Sequence, residues 1–184
     1  MQVATLVWMT TECGLALYAA KQAHSPMMLT FGSDSLIEWL SATVVLAQFI
    51  GAFAISEAVA TRVAAVLLYL LAVVVVIIAG VSLSGHLRPE TSFLGMGASA
   101  AALLVMPLLA HLKRREARSI GNSALAADAV QSATCAYLAA LTLLGLGVNA
   151  VFHVPWFDST AALIAVPLLL KEAREAWRGN FCSC

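Results

Sequence analysis

Asp34 and Glu38 stand four residues apart. On a helix that spacing puts both carboxyl groups on one face, a turn apart, where both reach a single cation. Gln131 and Cys135 repeat the spacing, and Asp128 precedes Gln131 by three positions. Two helices that each offer such a pair supply the four ligands a tetrahedral ion needs. A thiolate at Cys135 suits zinc, cadmium or copper(I) better than magnesium or calcium. Gln131 is the weak member, because a neutral amide is a poor zinc ligand and carries no proton. Asp128 is the candidate for the missing oxygen.

Each residue also has a plainer reading. Gly32-Ser33-Asp34-Ser35 reads as a helix start with Asp34 as its cap. Glu38 then sits one place too far for a capping box. Gln131 suits a helix–helix hydrogen bond in a membrane, and Cys135 a small buried hydrophobe. Asp128 is positioned to pair with Arg118 or to cap its own helix. Glu12 either faces the interior beside the site or bonds Thr10 or Thr11 on its own helix. The joint spacing of the group, more than any member, points to cation binding.

The elements that must carry these residues are membrane helices. The 184 residues are 61% hydrophobic and 11% charged, with a mean hydropathy of +0.91, against about 25% charged in an ordinary soluble domain. Ten acids balance ten bases. That composition excludes a soluble enzyme, a disordered chain and a nucleic-acid binder. A helix needs about 20 apolar residues to cross a bilayer. Six spans are predicted, at about Val3–Ala20, Met27–Ile55, Arg62–Ser84, Phe93–Leu112, Ala124–Val148 and Trp156–Trp177. They fill residues 1–184 as a single all-α transmembrane domain with no soluble domain. The polar segment Lys113 to Asn122 is read as a loop, and Lys113-Arg114-Arg115-Glu116-Ala117-Arg118 as an orienting charge cluster and nothing more.

With six spans, one side carries Arg62, Lys113, Arg114, Arg115, Arg118, Lys171, Arg174 and Arg178, and the other only Lys21 and Arg88. That bias predicts that both termini are cytoplasmic. A cleaved signal peptide over residues 1–20 is the rival, but it has no basic start and Glu12 interrupts it. The same count predicts unpaired acids. Glu12, Asp34, Glu38 and Asp128 lie in or near spans, and no Lys or Arg is expected at their depth. Carboxylates sharing one interior repel each other, and protons or a bound cation relieve the repulsion.

At these residues the sequence resembles the cation diffusion facilitators. Residues 31–41, Phe-Gly-Ser-Asp-Ser-Leu-Ile-Glu-Trp-Leu-Ser, look like the family's second span, and residues 126–135, Ala-Ala-Asp-Ala-Val-Gln-Ser-Ala-Thr-Cys, like its fifth. The sequence also resembles a compact bacterial subgroup of cation (cation efflux) transporters. These share the Asp-Ser-Leu-Ile-Glu stretch and a tail like Lys171-Glu172-Ala173-Arg174-Glu175-Ala176-Trp177-Arg178-Gly179. The resemblance implies a six-helix bundle in the bacterial inner membrane. It implies efflux of zinc or a similar divalent metal in exchange for protons, with an acid pair facing a His/Asp pair. Glu38 stands here for the usual Asp, Gln131 for His and Cys135 for Asp. The family's cytoplasmic C-terminal domain, through which its members partly dimerise, has no counterpart in these residues.

The expectation is therefore a secondary transporter of divalent metal, with Asp34, Glu38, Gln131, Cys135 and Asp128 as its site. It requires no cofactor. Its partners are the lipid bilayer, the metal ion and protons, and a second copy as a homodimer. The alternatives are a non-transporting partner of the same fold with a degenerate site, and a thiol redox protein using Cys13 and Cys135. Cys182 and Cys184 are read as incidental tail thiols, and Pro107 and Pro167 as passive kinks. No phosphate loop, nucleophile elbow or zinc-protease helix appears.

Overall fold

The computed structural model describes residues 2–50, 57–85, 90, 92–154 and 156–178. These form six helices: α1 (Gln2–Ala23), α2 (Pro26–Ile50), α3 (Glu57–Leu83), α4 (Phe93–Ile120), α5 (Ser123–Phe152) and α6 (Trp156–Arg178). Among the described residues there is no strand. Among the described residues four helices are long and apolar enough to cross a membrane: α1, α3, α4 and α5. The other two carry ionisable side chains along their length, Asp34 and Glu38 on α2, and Asp158, Lys171, Glu172, Arg174 and Glu175 on α6.

Local sequence sets the turns. His24 adopts a left-handed conformation (φ 49°) after α1, and Pro26 opens α2 two residues later. A proline at a helix start gives up no hydrogen bond and arrives with its φ already helical. Gly121 ends α4 at φ 65°, with its N–H donating to the Ala117 carbonyl. Asn122 at once caps α5 by accepting from the Leu125 N–H (2.8 Å). This glycine-then-asparagine turn folds α5 back along α4.

Contacts at the two ends show that all six helices alternate in direction. At one end the Glu90 N–H donates to the Ala23 carbonyl (2.7 Å), tying the approach to α4 to the end of α1. Ser159 donates to Ser82 (2.7 Å), joining the start of α6 to the end of α3. Asp158 accepts from the Ser25 hydroxyl (2.9 Å) and the Met27 N–H (3.1 Å), so α6 caps α2. At the other end Val45, Ala117 and Leu125 cluster where α2 and α4 finish and α5 begins. We call this second end, where the chain's first and last helices also begin and finish, the basal end.

The interior is built from small residues. Ala16, Ala19 and Ala20 of α1, Ala136 and Ala139 of α5, and Ala161, Ala162 and Ala165 of α6 are buried in one cluster with Phe31, Met27 and Met28. Such seams let backbones approach closely. At Gly32 a Cβ would lie 2.9 Å from Leu17 Cδ2 and 3.1 Å from the Leu17 amide nitrogen, so α1 and α2 touch backbone to backbone there. The outside is apolar: Val7, Leu104, Val151, Ile77 and Ile164 are more than half exposed. The inside holds Glu12, Asp34, Glu38, Lys113, Asp128, Asp158 and Glu172, all buried. A water-soluble domain distributes its residues the other way round.

Candidate functional site

Helix α4 does not end near Leu112. It runs on to Ile120, so the predicted loop from Lys113 is helical, and its residues divide by face. His111, Arg114, Arg115 and Arg118 are exposed and line an open cavity of about 420 Å³ with Ser119. Lys113 and Ala117 point inward, and Lys113 is 0% exposed. The turn at Gly121–Asn122 brings Lys113, eight residues before it, opposite Asp128, six residues after it.

The Lys113 ammonium lies 3.1 Å from Glu38 Oε1 and 3.0 Å from Asp128 Oδ2. It also donates to Ser132 Oγ at 2.8 Å. Ser132 in turn donates to Glu38 Oε1. Three helices thus meet in one closed ionic group: α2 through Glu38, α4 through Lys113, and α5 through Asp128 and Ser132. All four side chains are at most 1% exposed. Two expectations fall here. A base does lie at the depth of the acids, and Asp128 pairs with Lys113 rather than Arg118, which is exposed. The sequence reading stopped the helix at the first run of bases. One helical face more would have separated Lys113 from its exposed neighbours, because the residues on either side of it on the buried stripe, Ala110 and Ala117, are apolar.

A second group sits beside the first. Glu12 of α1 accepts from Ser35 Oγ of α2 (2.7 Å) and from Cys135 Sγ of α5 (3.3 Å) through Oε1. Its Oε2 accepts from the Trp8 indole N–H. Glu12 therefore faces the interior, while Thr10 and Thr11 bond the carbonyls of Leu6 and Val7 instead. Cys135 is a free thiol and a partner of a carboxylate, so it is more than a filler. Cys13 is also free and lies against the Gly32 carbonyl (3.6 Å).

Asp34 is an interior residue of α2, eight positions after its first, so the capping reading is overturned. The chain turns at His24–Ser25, and Asp34 comes too late to cap anything. It is 4% exposed and close enough to Glu38, Glu12 and Cys135 for their charges and the thiol to act on it. Its Oδ2, together with Glu38 Oε2, Gln131 Oε1 and Glu172 Oε2, has no hydrogen-bond partner among the described residues. Gln131, 8% exposed, shares the inner side of α5 with Asp128, Ser132 and Cys135. Among the described residues no three His, Cys, Asp or Glu side chains are grouped closely enough to hold an ion.

Glu172 was not singled out in the sequence, because it lies in a tail dense with charge. Its neighbours Lys171 and Arg174 are exposed, whereas Glu172 is 7% exposed and near enough to Asp34 and Glu38 to feel both. The placement of Glu172 between buried Leu169, Ala173 and Ala176 was the available signal. Asp158, also missed, has a structural task as the cap of α2. Cys182 and Cys184 lie outside the described residues, as do His86 and Arg88.

No protein-family model matches this chain, and no curated protein matches it closely enough to count as a relative. The likeness to cation diffusion facilitators therefore rests on the quoted stretches alone.

Proposed function

We propose that this chain is a secondary transporter of divalent transition-metal cations, zinc or a similar ion, exchanged for protons across a bilayer by alternating access. The observation that supports this reading most is the reversal of polarity. The outer surface is apolar, and the carboxyl groups of Glu12, Asp34, Glu38, Asp128 and Glu172 are gathered inside from α1, α2, α5 and α6. Among the described residues one buried base, Lys113, stands against these five acids. Charged side chains at the centre of a membrane cost about 2.5–3.5 kcal/mol each on insertion scales, and they are kept where they line a pathway.

In this reading all six helices span the membrane, with the acids Asp34 and Glu38 of α2 and Glu172 of α6 turned to the interior. Asp34, Glu38, Gln131, Cys135 and Asp128 form the pathway, joined by Glu12 and Glu172. An entering metal takes the oxygens and the Cys135 sulfur, and the protons it displaces leave to the side the metal came from, to be replaced from the other side once the metal is released there. The exposed bases of the basal end, Arg62, Arg114, Arg115, Arg118, Lys171, Arg174 and Arg178, face the cytoplasm of a bacterial inner membrane.

A second reading has an observation of its own. Lys113 already pairs with Glu38 and Asp128, as it would in a bundle that keeps the fold and transports nothing. Metal uptake into proteoliposomes separates the two. Zinc, cobalt, cadmium or manganese flux in the wild type, lost in Asp34→Asn and reduced in Cys135→Ala, supports the transporter. Flux equal to that of empty vesicles for all four ions sinks it.

A further inference from the structure

We propose that Lys113 is a tethered occupant of the cation site, which an incoming divalent cation displaces from between Glu38 and Asp128. The proposal rests on the transporter reading and adds to it the step that opens the site.

The geometry is that of an ion-binding centre filled by the protein's own ammonium. The Nζ atom has oxygen neighbours from two other helices at 3.1, 3.0 and 2.8 Å, from Glu38, Asp128 and Ser132. An ammonium in such a place is a compact point charge on a flexible stem. One oxygen of this group is not yet used: Glu38 Oε2 has no hydrogen-bond partner among the described residues, and neither has Asp34 Oδ2, one turn before Glu38 on α2, nor Gln131 Oε1, one turn after Asp128 on α5. The site therefore offers more acceptor atoms than the lysine engages.

Within the group that touches Lys113, charge favours exchange of the two cations over joint occupancy. Glu38, Asp128 and Lys113 together carry one net negative charge when all are ionised. A divalent ion added beside Lys113 would leave a buried net charge of plus one. A divalent ion that replaces Lys113 leaves none, and a neutral group is favoured in a low-dielectric interior. Leaving is possible because Lys113 lies two turns from the end of α4, at the side where Arg114, Arg115 and Arg118 already face outward. Pro107, six residues earlier in the same helix, removes one backbone hydrogen bond and gives α4 a place to bend.

The chain supplies its own controls, since its only lysines are Lys21, Lys113 and Lys171, and the other two are exposed. Reconstituted wild-type protein is treated briefly with an amine-acetylating ester, with and without zinc or cadmium, and each lysine is quantified by mass spectrometry. Flux is measured on the same vesicles. The expected result is slow acetylation of Lys113 alone, rising on the order of tenfold with saturating metal as the population shifts from paired to released. Lys21 and Lys171 should not change, and magnesium should have no effect. Metal flux with unchanged Lys113 acetylation would overturn this proposal and leave the transporter reading standing. A metal-dependent rise without flux would support displacement and overturn transport. Neither flux nor a rise would overturn both.

Discussion

The residue that organises the interior is Lys113. Breaking a buried ion pair by removing one partner typically costs about 3–5 kcal/mol, because the other charge is left without compensation. Lys113→Leu should therefore lower the unfolding midpoint in detergent more than loss of any exposed base, for example Arg118→Leu. Adding Glu38→Gln to Lys113→Leu should recover much of the loss, since it removes one of the stranded carboxylates. Recovery absent from the double variant would mean that the lysine acts through packing alone. Ser132→Ala is milder in kind: it removes a hydroxyl that both accepts from Lys113 and donates to Glu38. A loss of about 1.5–3 kcal/mol is expected, measured by the same melt, in the range for a hydrogen bond to a charged group.

At the scale of the element, two glycines one helix apart make a controlled comparison. A methyl group at Gly32 would meet the Leu17 side chain at 2.9 Å and its backbone nitrogen at 3.1 Å. The backbone cannot give way without moving α1 from α2, so Gly32→Ala should cost about 1–3 kcal/mol as an overpacking change. Gly14 on α1 has nothing within 4 Å of the same position. Gly14→Ala should be neutral or stabilise by about 0.5–1 kcal/mol, through helix propensity alone. Thermal melts of the two variants check this, and an equal effect would contradict the close approach at Leu17. The separation also bears on the site, because Ser35 of α2 reaches Glu12 of α1 one turn from Gly32. Gly32→Ala is expected to disturb that contact as well.

At the scale of the molecule, the alternating helices put seven exposed bases at the basal end, while Lys21 lies near the other end of α1. The proposed orientation predicts an asymmetry of access in intact cells. A cysteine at Lys21→Cys should react with a membrane-impermeant maleimide added outside, and one at Arg118→Cys should react only after the cells are opened. The reverse pattern would invert the topology and with it the direction of the proposed efflux. Most of the architecture was legible beforehand. The six helical segments follow from long apolar runs, the first two parted at His24-Ser25-Pro26; residues 51–55 of the expected second span lie outside the described residues, α3 begins five residues before its expected start, α5 ends four residues beyond its expected end, and the largest difference is the end of α4, eight residues beyond Leu112. The misplacement came from treating charge as the boundary of a helix, when a helix turns its charged residues to whichever side suits them.

By itself the sequence determined the class of the protein, since an 11% charged chain of this length has too few polar residues to cover itself in water. Spacing alone also put Asp34 with Glu38, and Asp128 with Gln131 and Cys135, on common helix faces, although it passed over Asp158 and Glu172. The tertiary structure decided what each of those groups meets. Periodicity describes one helix at a time, and the partners of Glu38 lie 75 and 94 residues away on α4 and α5. Only the packing of three helices could show that one base of the cluster turns inward and pairs with two of the acids, Glu38 and Asp128, for which the sequence offered no cation.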